Sequence, residues 1–125
     1  MIDDDRSLVQ SIMGLLESLG YAATGFASGE DFLKSPDLHR AACLIVDVLM
    51  PVIGGLELQR RLVSENDRTP IIFISAHGDQ ETSAQALRRG AVAFLRKPFD
   101  QESLLRALRS ALDRHKGRTA GEKPE

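Results

Sequence analysis

The chain has 125 residues, which is the length of one domain. Its 16 Lys and Arg residues against 18 Asp and Glu residues give a formal net charge of −2, so the chain as a whole does not attract nucleic acid or anionic membranes. The one cysteine, Cys43, excludes an intrachain disulfide and a four-thiolate zinc site. No apolar run is long enough to span a membrane, and the acidic start lacks the basic segment of a signal peptide. We therefore expect a small cytoplasmic domain.

The apolar residues along the chain predict alternating helices and strands. Helical spacing of apolar residues predicts helices with one buried face, and continuous apolar runs predict strands buried on both faces. In chain order, the predicted elements are a helix from Leu8 to Leu19 that ends at Gly20, a strand at Tyr21–Phe26, a short helix at Phe32 and Leu33 closed by Pro36, a strand at Cys43–Val46, a helix from Leu58 to Ser64, a strand at Ile71–Ile74, a helix at Asp79–Arg89, a strand at Ala91–Leu95, and a helix from Leu104 to Leu112. This alternation indicates an α/β fold with a parallel sheet.

Reactive polar residues follow the predicted strands. Asp47, Ser75 and Lys97 each come directly after an apolar run or close to its end, and the acids Asp3 to Asp5 precede the first helix. Each residue alone has an ordinary explanation, such as a solvated acidic patch, a helix cap or a surface lysine. The carboxyl ends of parallel strands meet at one edge of the sheet, so together these residues indicate a binding site. Clustered carboxylates need a cation or a lysine, and oxygen ligands suit Mg²⁺ or Mn²⁺.

Five stretches in this order resemble the receiver domain of two-component response regulators. They are IDDD at 2–5, LIVDVLMP at 44–51, GGLEL at 54–58, PIIFISAHGD at 70–79 and GAVAFLRKPF at 90–99. The last two are most similar to the FixJ-like group, whose receivers commonly precede a helix-turn-helix output domain. The resemblance implies a flavodoxin-like, doubly wound parallel sheet of five strands in the order 2-1-3-4-5. We expect a receiver domain over residues 1–113 and a polar tail or linker stub over residues 114–125.

The resemblance also implies a function and a set of site residues. A histidine kinase is expected to transfer a phosphoryl group to Asp47 in a reaction that needs Mg²⁺ or Mn²⁺. The implied roles are metal ligation by Asp4, Asp47, the Leu49 carbonyl and, through water, Asp3; phosphoryl binding by Lys97 and Ser75; an aromatic switch at Phe94; modulation by the loop residues Ala76 and His77; and a cis bond before Pro98. Phosphorylation is expected to promote a homodimer or to switch a C-terminal output domain. We expect no direct nucleic-acid binding and no enzyme activity beyond the chain's own phosphorylation and dephosphorylation.

Other functions fit the residues less well. An aspartate-based phosphatase usually carries a second Asp two residues after its nucleophile, where this chain has Leu49. A dinucleotide-binding fragment needs a glycine-rich turn where this chain has Asp3 to Arg6. A pseudo-receiver that binds partners without phosphorylation is the alternative that stays open. Val52 and Ile53 are unusually apolar for a loop, and their contact with a kinase or a dimer mate is a hypothesis.

The first strand is predicted to be short. Only Met1 and Ile2 precede Asp3, whereas a typical strand has about five or six residues. We expect either that the natural protein starts several residues earlier or that another segment or chain fills the gap. Mg²⁺ binding through Asp3 and Asp4 is then expected to be weaker than is usual for the family.

Overall fold

Helices and strands alternate along the chain, as the apolar pattern predicts. The computed structural model describes residues 1–76 and 80–121, with only the backbone of residues 116–121. Its elements are α1 (Arg6–Ser18), α2 (Gly29–Leu33), β1 (Leu44–Asp47), α3 (Gly55–Ser64), β2 (Ile71–Ser75), α4 (Gln80–Arg88), β3 (Ala93–Arg96) and α5 (Gln101–Gly121). Across the residues so described, no helix has the length and apolarity needed to cross a membrane.

The three strands form one parallel sheet in the order β1-β2-β3. The described residues contain three of the five predicted strands. The two N-terminal strands are present only as isolated bridges. Ile2 lies between Phe26 and Val46 and forms a parallel bridge with each of them. The predicted strand at Tyr21–Phe26 is therefore reduced to one paired position. The pairing of the N-terminal segment with Phe26 and Val46 is this short because only Ile2 and its immediate neighbours take part in it.

Side chains on the strands alternate between two apolar clusters, one on each face of the sheet. Val46 and Phe73 contribute to the first cluster, and Ile72 and Ile74 contribute to the second. Because successive strand residues point to opposite faces, covering both faces requires apolar residues at every position. Other buried members are Phe32, Leu58, Leu62 and Ala86 from α2, α3 and α4 in the first cluster, and Ile12, Leu16, Leu104 and Leu108 from α1 and α5 in the second.

Both ends of α1 are capped. Asp5 precedes the helix, and its side chain accepts a hydrogen bond from the backbone N–H of Leu8 at 3.1 Å. At the other end, Gly20 has a φ of 91°, and its N–H donates to the carbonyl of Glu17 at 3.0 Å. A positive φ is readily adopted by glycine, and this geometry is typical of a helix C-terminus. The predicted stop at Gly20 is confirmed.

The last helix is longer than the apolar pattern indicates. The pattern ends at Leu112, whereas the backbone of α5 stays helical through Gly121. Residues 114–121, expected to be a polar tail, therefore continue the helix. Apolar spacing reports where a helix packs against the core, and a helix can continue beyond its packed part.

Candidate functional site

Asp47 is the last residue of β1 and lies at the carboxyl edge of the sheet. It is 6% exposed, and its backbone N–H donates to the carbonyl of Ile2 at 2.9 Å. Its Oδ1 atom accepts a hydrogen bond from the backbone N–H of Leu49 at 3.1 Å. The strand and the following loop therefore hold this carboxylate in one orientation, with little contact with solvent.

The three consecutive acids at the N-terminus have three different roles. Asp3 is buried, Asp4 is exposed, and Asp5 caps α1. The backbone N–H of Asp3 donates to the carbonyl of Phe26 at 3.1 Å, which fixes Asp3 at the sheet edge. Asp3, Asp4 and Asp47 each offer a carboxylate oxygen, and these oxygens lie within 4.8 Å of one another. Such an all-oxygen group fits a hard divalent cation, so these residues suit the Mg²⁺ or Mn²⁺ that the sequence implies.

Lys97 joins two of these carboxylates. Its Nζ atom donates to Oδ2 of Asp3 at 2.9 Å and lies 3.4 Å from Oδ2 of Asp47. The backbone N–H of Lys97 donates to the carbonyl of Ser75 at 2.8 Å, which places the residue beside the end of β2. The Lys97–Pro98 peptide bond is cis, as expected from the resemblance.

The charges of the cluster act on Asp47 in opposite directions. Burial, followed by the charge of Asp3, raises the pKa of Asp47, and the Leu49 N–H and the Lys97 ammonium only partly counteract this. Burial also disfavours the charged form of Lys97, but the hydrogen bonds and charges of Asp3 and Asp47 together outweigh burial and raise the pKa of the ammonium. In this cluster three carboxylates lie close to one ammonium, so the site favours a further cation.

The remaining predicted site residues lie at the ends of β2 and β3. Ser75 is fully buried at the end of β2, and Ala76 after it is exposed. Phe94 pairs in register with Phe73 and packs, partly buried, against the first apolar cluster. His77 lies outside the described residues. The sheet thus brings Ser75 and Lys97 to one edge with Asp47, while Phe94 lies within β3.

Comparison of the chain with models of protein families shows which family it belongs to. A family model described as the response regulator receiver domain matches residues 1–109. The chain belongs to this family. The expectation drawn from the five sequence stretches is confirmed, and the acidic cluster lies within the matched span.

Individual receivers and response regulators are similar over most of the chain. The response regulator protein TodT of Pseudomonas putida is 41% identical over 112 residues, which are 90% of this chain and 49% of TodT. A solved structure of the response regulator StyR has a TM-score of 0.85 at 36% identity. The matched region covers 96% of this chain and 61% of the StyR chain. A crystal structure titled FixJ-N has a TM-score of 0.79 at 33% identity over 90% of each chain. This receiver spans about half the length of curated relatives such as TodT.

Gly55 supports the site, although the sequence marks it only as part of the GGLEL stretch at 54–58. A Cβ atom at Gly55 would lie 2.7 Å from the carbonyl oxygen of Asp47 and 2.9 Å from Cα of Val48. Its own N–H donates to the Val48 carbonyl at 2.9 Å. The first residue of α3 in this receiver therefore packs directly against the backbone of the candidate site. The Gly54-Gly55 pair after an apolar strand was the available signal, since glycine permits close backbone approach.

Proposed function

We propose that the chain is a phosphoacceptor receiver domain that takes a phosphoryl group from a histidine kinase onto Asp47. The observation that carries this proposal is the position of the Asp47 carboxylate, which lies at the sheet edge within reach of Asp3, Asp4 and Lys97. Membership of the receiver family supports the assignment. The five-strand order 2-1-3-4-5 belongs to the same proposal, with Ile2 and its bridges in the place of the first strand.

The proposed reaction is a direct transfer. An oxygen of the Asp47 carboxylate attacks phosphorus, the P–N bond to the donor histidine breaks, and its electron pair returns to the imidazole nitrogen. The product is an acyl phosphate on Asp47. Phosphoryl transfer needs mostly positioning and neutralisation of charge, so Lys97 is the residue that pairs with a phosphoryl oxygen. Ser75 is proposed to donate its hydroxyl to another.

Asp3, Asp4 and Asp47 are proposed to hold Mg²⁺, with the backbone carbonyl of Leu49 as a further ligand. When bound, Mg²⁺ supplies positive charge that offsets the charge on the phosphoryl oxygens. Oδ2 of Asp3 already accepts a hydrogen bond from Lys97, so the contact of Asp3 with the ion is proposed to pass through water. Asp4 is exposed and is the acid that is free to turn toward the ion.

The consequence of phosphorylation is proposed to be a switch in partner binding. Movement of Ser75 toward the phosphoryl group and a turn of Phe94 are proposed to favour a homodimer through α4, β3 and α5, or to change contacts with a C-terminal output domain. Ala76 and His77 are proposed to set access of water to the acyl phosphate. The receiver is proposed to act in the cytoplasm and to catalyse only its own phosphorylation and dephosphorylation. Residues 1–113 are proposed to be sufficient for this function.

Acetyl phosphate labelling of Asp47→Asn tests the proposal. Asn keeps the shape of Asp47 but is a poor nucleophile, so we expect no acid-labile phosphate by intact mass with Mg²⁺ present. Asp113→Asn is the matched control, because Asp113 is exposed on α5, and it should be labelled as the unaltered chain is. Undiminished labelling of Asp47→Asn would refute the assignment. Beryllofluoride binding with and without Mg²⁺ gives an independent measure of the metal requirement.

A further inference from the structure

The side chain of Gln59 is buried on α3 without a complete set of hydrogen bonds. Gln59 is 2% exposed, and its Oε1 atom is the one buried side-chain polar atom of the described residues that has no hydrogen-bond partner. Its Nε2 atom donates to the carbonyl of Ala86 at 3.3 Å and to that of Arg89 at 3.5 Å. Turning the amide round would only place Oε1 against these two acceptors. A buried polar atom without a partner needs an explanation.

The stability of the fold does not supply that explanation. Both hydrogen bonds of the Gln59 amide are longer than the usual length of about 2.9–3.0 Å. The carbonyl of Ala86 also accepts the N–H of Ala91 at 3.1 Å, so it stays paired without Gln59. An apolar side chain of the same length would lose two weak bonds but would also remove the unpaired oxygen, and these two effects oppose each other. The amide therefore adds little to the free energy of unfolding.

The contacts of Gln59 hold the C-terminal end of α4, and a second helix holds the same end. Gly90 follows this helix with a φ of 103°, and its N–H donates to the carbonyl of Leu87 at 3.0 Å. Arg114 on α5 donates from Nη1 to the carbonyl of Gly90 at 2.9 Å. Ala86 is the one buried residue of α4. Because burial fixes α4 at a single small side chain, the polar contacts from α3 and α5 contribute much of its placement.

The other end of α4 is connected to the candidate site along the chain. Residues 76–79 join Ser75, the last residue of β2, to Gln80, the first residue of α4. On the proposed function Ser75 moves toward the phosphoryl group, so the start of α4 follows it or the connecting residues absorb the movement. The response of the whole helix then depends on how firmly its C-terminal end is held.

We propose that Gln59 and Arg114 are positioning residues that hold the C-terminal end of α4 before phosphorylation of Asp47 and release it afterwards. The inference rests on the proposed function. Their contacts occur together with the bond from Lys97 to Asp3, which on that function is the arrangement before transfer. Release costs little, because the bonds of Gln59 are long and the bond of Arg114 is exposed. Contacts made in one arrangement stabilise that arrangement alone, so removing them favours the phosphorylated one.

Beryllofluoride binding in the presence of Mg²⁺ measures this release, because a phosphoryl analogue favours the phosphorylated arrangement. Gln59→Met removes the amide and keeps the length of the side chain, and Gln10→Met, at an exposed position of α1, is its matched control. Arg114→Met removes the contact from α5, and Arg109→Met, at an exposed position of the same helix, is its control. We expect Gln59→Met and Arg114→Met each to bind beryllofluoride about two- to tenfold more tightly, which is the fold-change of one weak hydrogen bond. Both controls should bind it as the unaltered chain does.

Urea unfolding separates positioning from a purely structural role. Gln59→Met should keep the urea midpoint of the unaltered chain or raise it; a lower midpoint means that the fold itself needs Gln59 and overturns its role. Arg114 is exposed, so Arg114→Met tests the release without disturbing the core. Unchanged or weaker beryllofluoride binding by either variant, or an equal gain in its control, overturns the proposal. If the unaltered chain does not bind beryllofluoride and acetyl phosphate does not label Asp47, the proposed function itself is wrong.

Discussion

A methyl group added at Gly55 measures how closely α3 must approach the strand that carries Asp47. In Gly55→Ala the new Cβ would lie 2.7 Å from the Asp47 carbonyl oxygen, 2.9 Å from Cα of Val48 and 3.0 Å from Cε1 of Phe73. Contacts between non-bonded carbon atoms are optimal at about 3.5–4.0 Å. Two of the three neighbours are backbone atoms and Phe73 is fully buried, so the overlap cannot be relieved by turning a flexible side chain.

The expected cost follows from these overlaps. Overpacking of this kind costs about 1–3 kcal/mol, and the better helix propensity of alanine returns about 0.5–1 kcal/mol. We expect Gly55→Ala to lower the free energy of unfolding by about 1–2 kcal/mol in balance. Gly14, inside α1, has open space around its Cβ position. Gly14→Ala is therefore expected to raise the free energy of unfolding by about 0.5–1 kcal/mol.

Urea unfolding of the two variants measures both values, because linear extrapolation gives the free energy in water. Acetyl phosphate labelling supplies a second readout. Displacing α3 moves the backbone of Asp47, and a misplacement of about 1 Å can cost about 10²-fold in rate. We expect slower labelling of Gly55→Ala and an unchanged rate for Gly14→Ala. If Gly55→Ala is as stable as the unaltered chain, the close approach of α3 to β1 is wrong.

Three further predictions concern other parts of the molecule. Lys97→Met should lower the free energy of unfolding by about 1.5–3 kcal/mol, because it leaves the buried carboxylate of Asp3 without its ammonium partner; an unchanged urea midpoint would contradict the pairing. His39→Gln should cost more thermal stability at about pH 5.5 than at about pH 8.5. The hydrogen bond to Asp67 raises the pKa of His39, so its contribution is complete below the unfolded value near 6.5 and is lost as the pH rises through the folded value; equal losses at both pH values would exclude this. About five Val- or Ile-rich residues placed before Met1 should raise the Tm and the Mg²⁺ affinity, because Met1 adjoins a mainly apolar groove of about 420 Å³; no rise in either means that the short pairing is already sufficient.

The sheet edge could be predicted because its signals are local. The apolar runs that end near Asp47 and Ser75 indicate buried strands, and parallel strands place their carboxyl ends together. The alternation of elements also gives the helices, since each has a face of apolar residues at helical spacing. The short first strand follows from the two residues before Asp3, but the extent of the strand expected at Tyr21–Phe26 could not be predicted in the same way. Its extent depends on how many positions pair beside Ile2, and pairing is a property of the folded chain.

Long-range contacts account for most of what the sequence left undetermined. Three adjacent aspartates look alike in the sequence, whereas the fold buries Asp3, exposes Asp4 and uses Asp5 as a helix cap. His39 carried no signal, yet its Nδ1 atom lies 2.6 Å from Oδ2 of Asp67, which is 28 residues away. This contact joins the segment before β1 to the segment before β2. Only the assembled sheet brings such residues together.

Lys97 contacts two carboxylates of the proposed site and the end of β2. Its ammonium is 2.9 Å from the buried Asp3 carboxylate and 3.4 Å from that of Asp47, so the contact with Asp3 is the tighter one. On the proposed function, phosphorylation replaces the single charge of Asp47 by about −1.5 to −2, and charge-assisted hydrogen bonds to such oxygens shorten to about 2.7–2.9 Å. The balance of attraction on the ammonium then moves toward the phosphoryl group. Because the backbone N–H of Lys97 is bonded to the carbonyl of Ser75, we expect any effect of this redistribution to be felt where the ends of β2 and β3 meet.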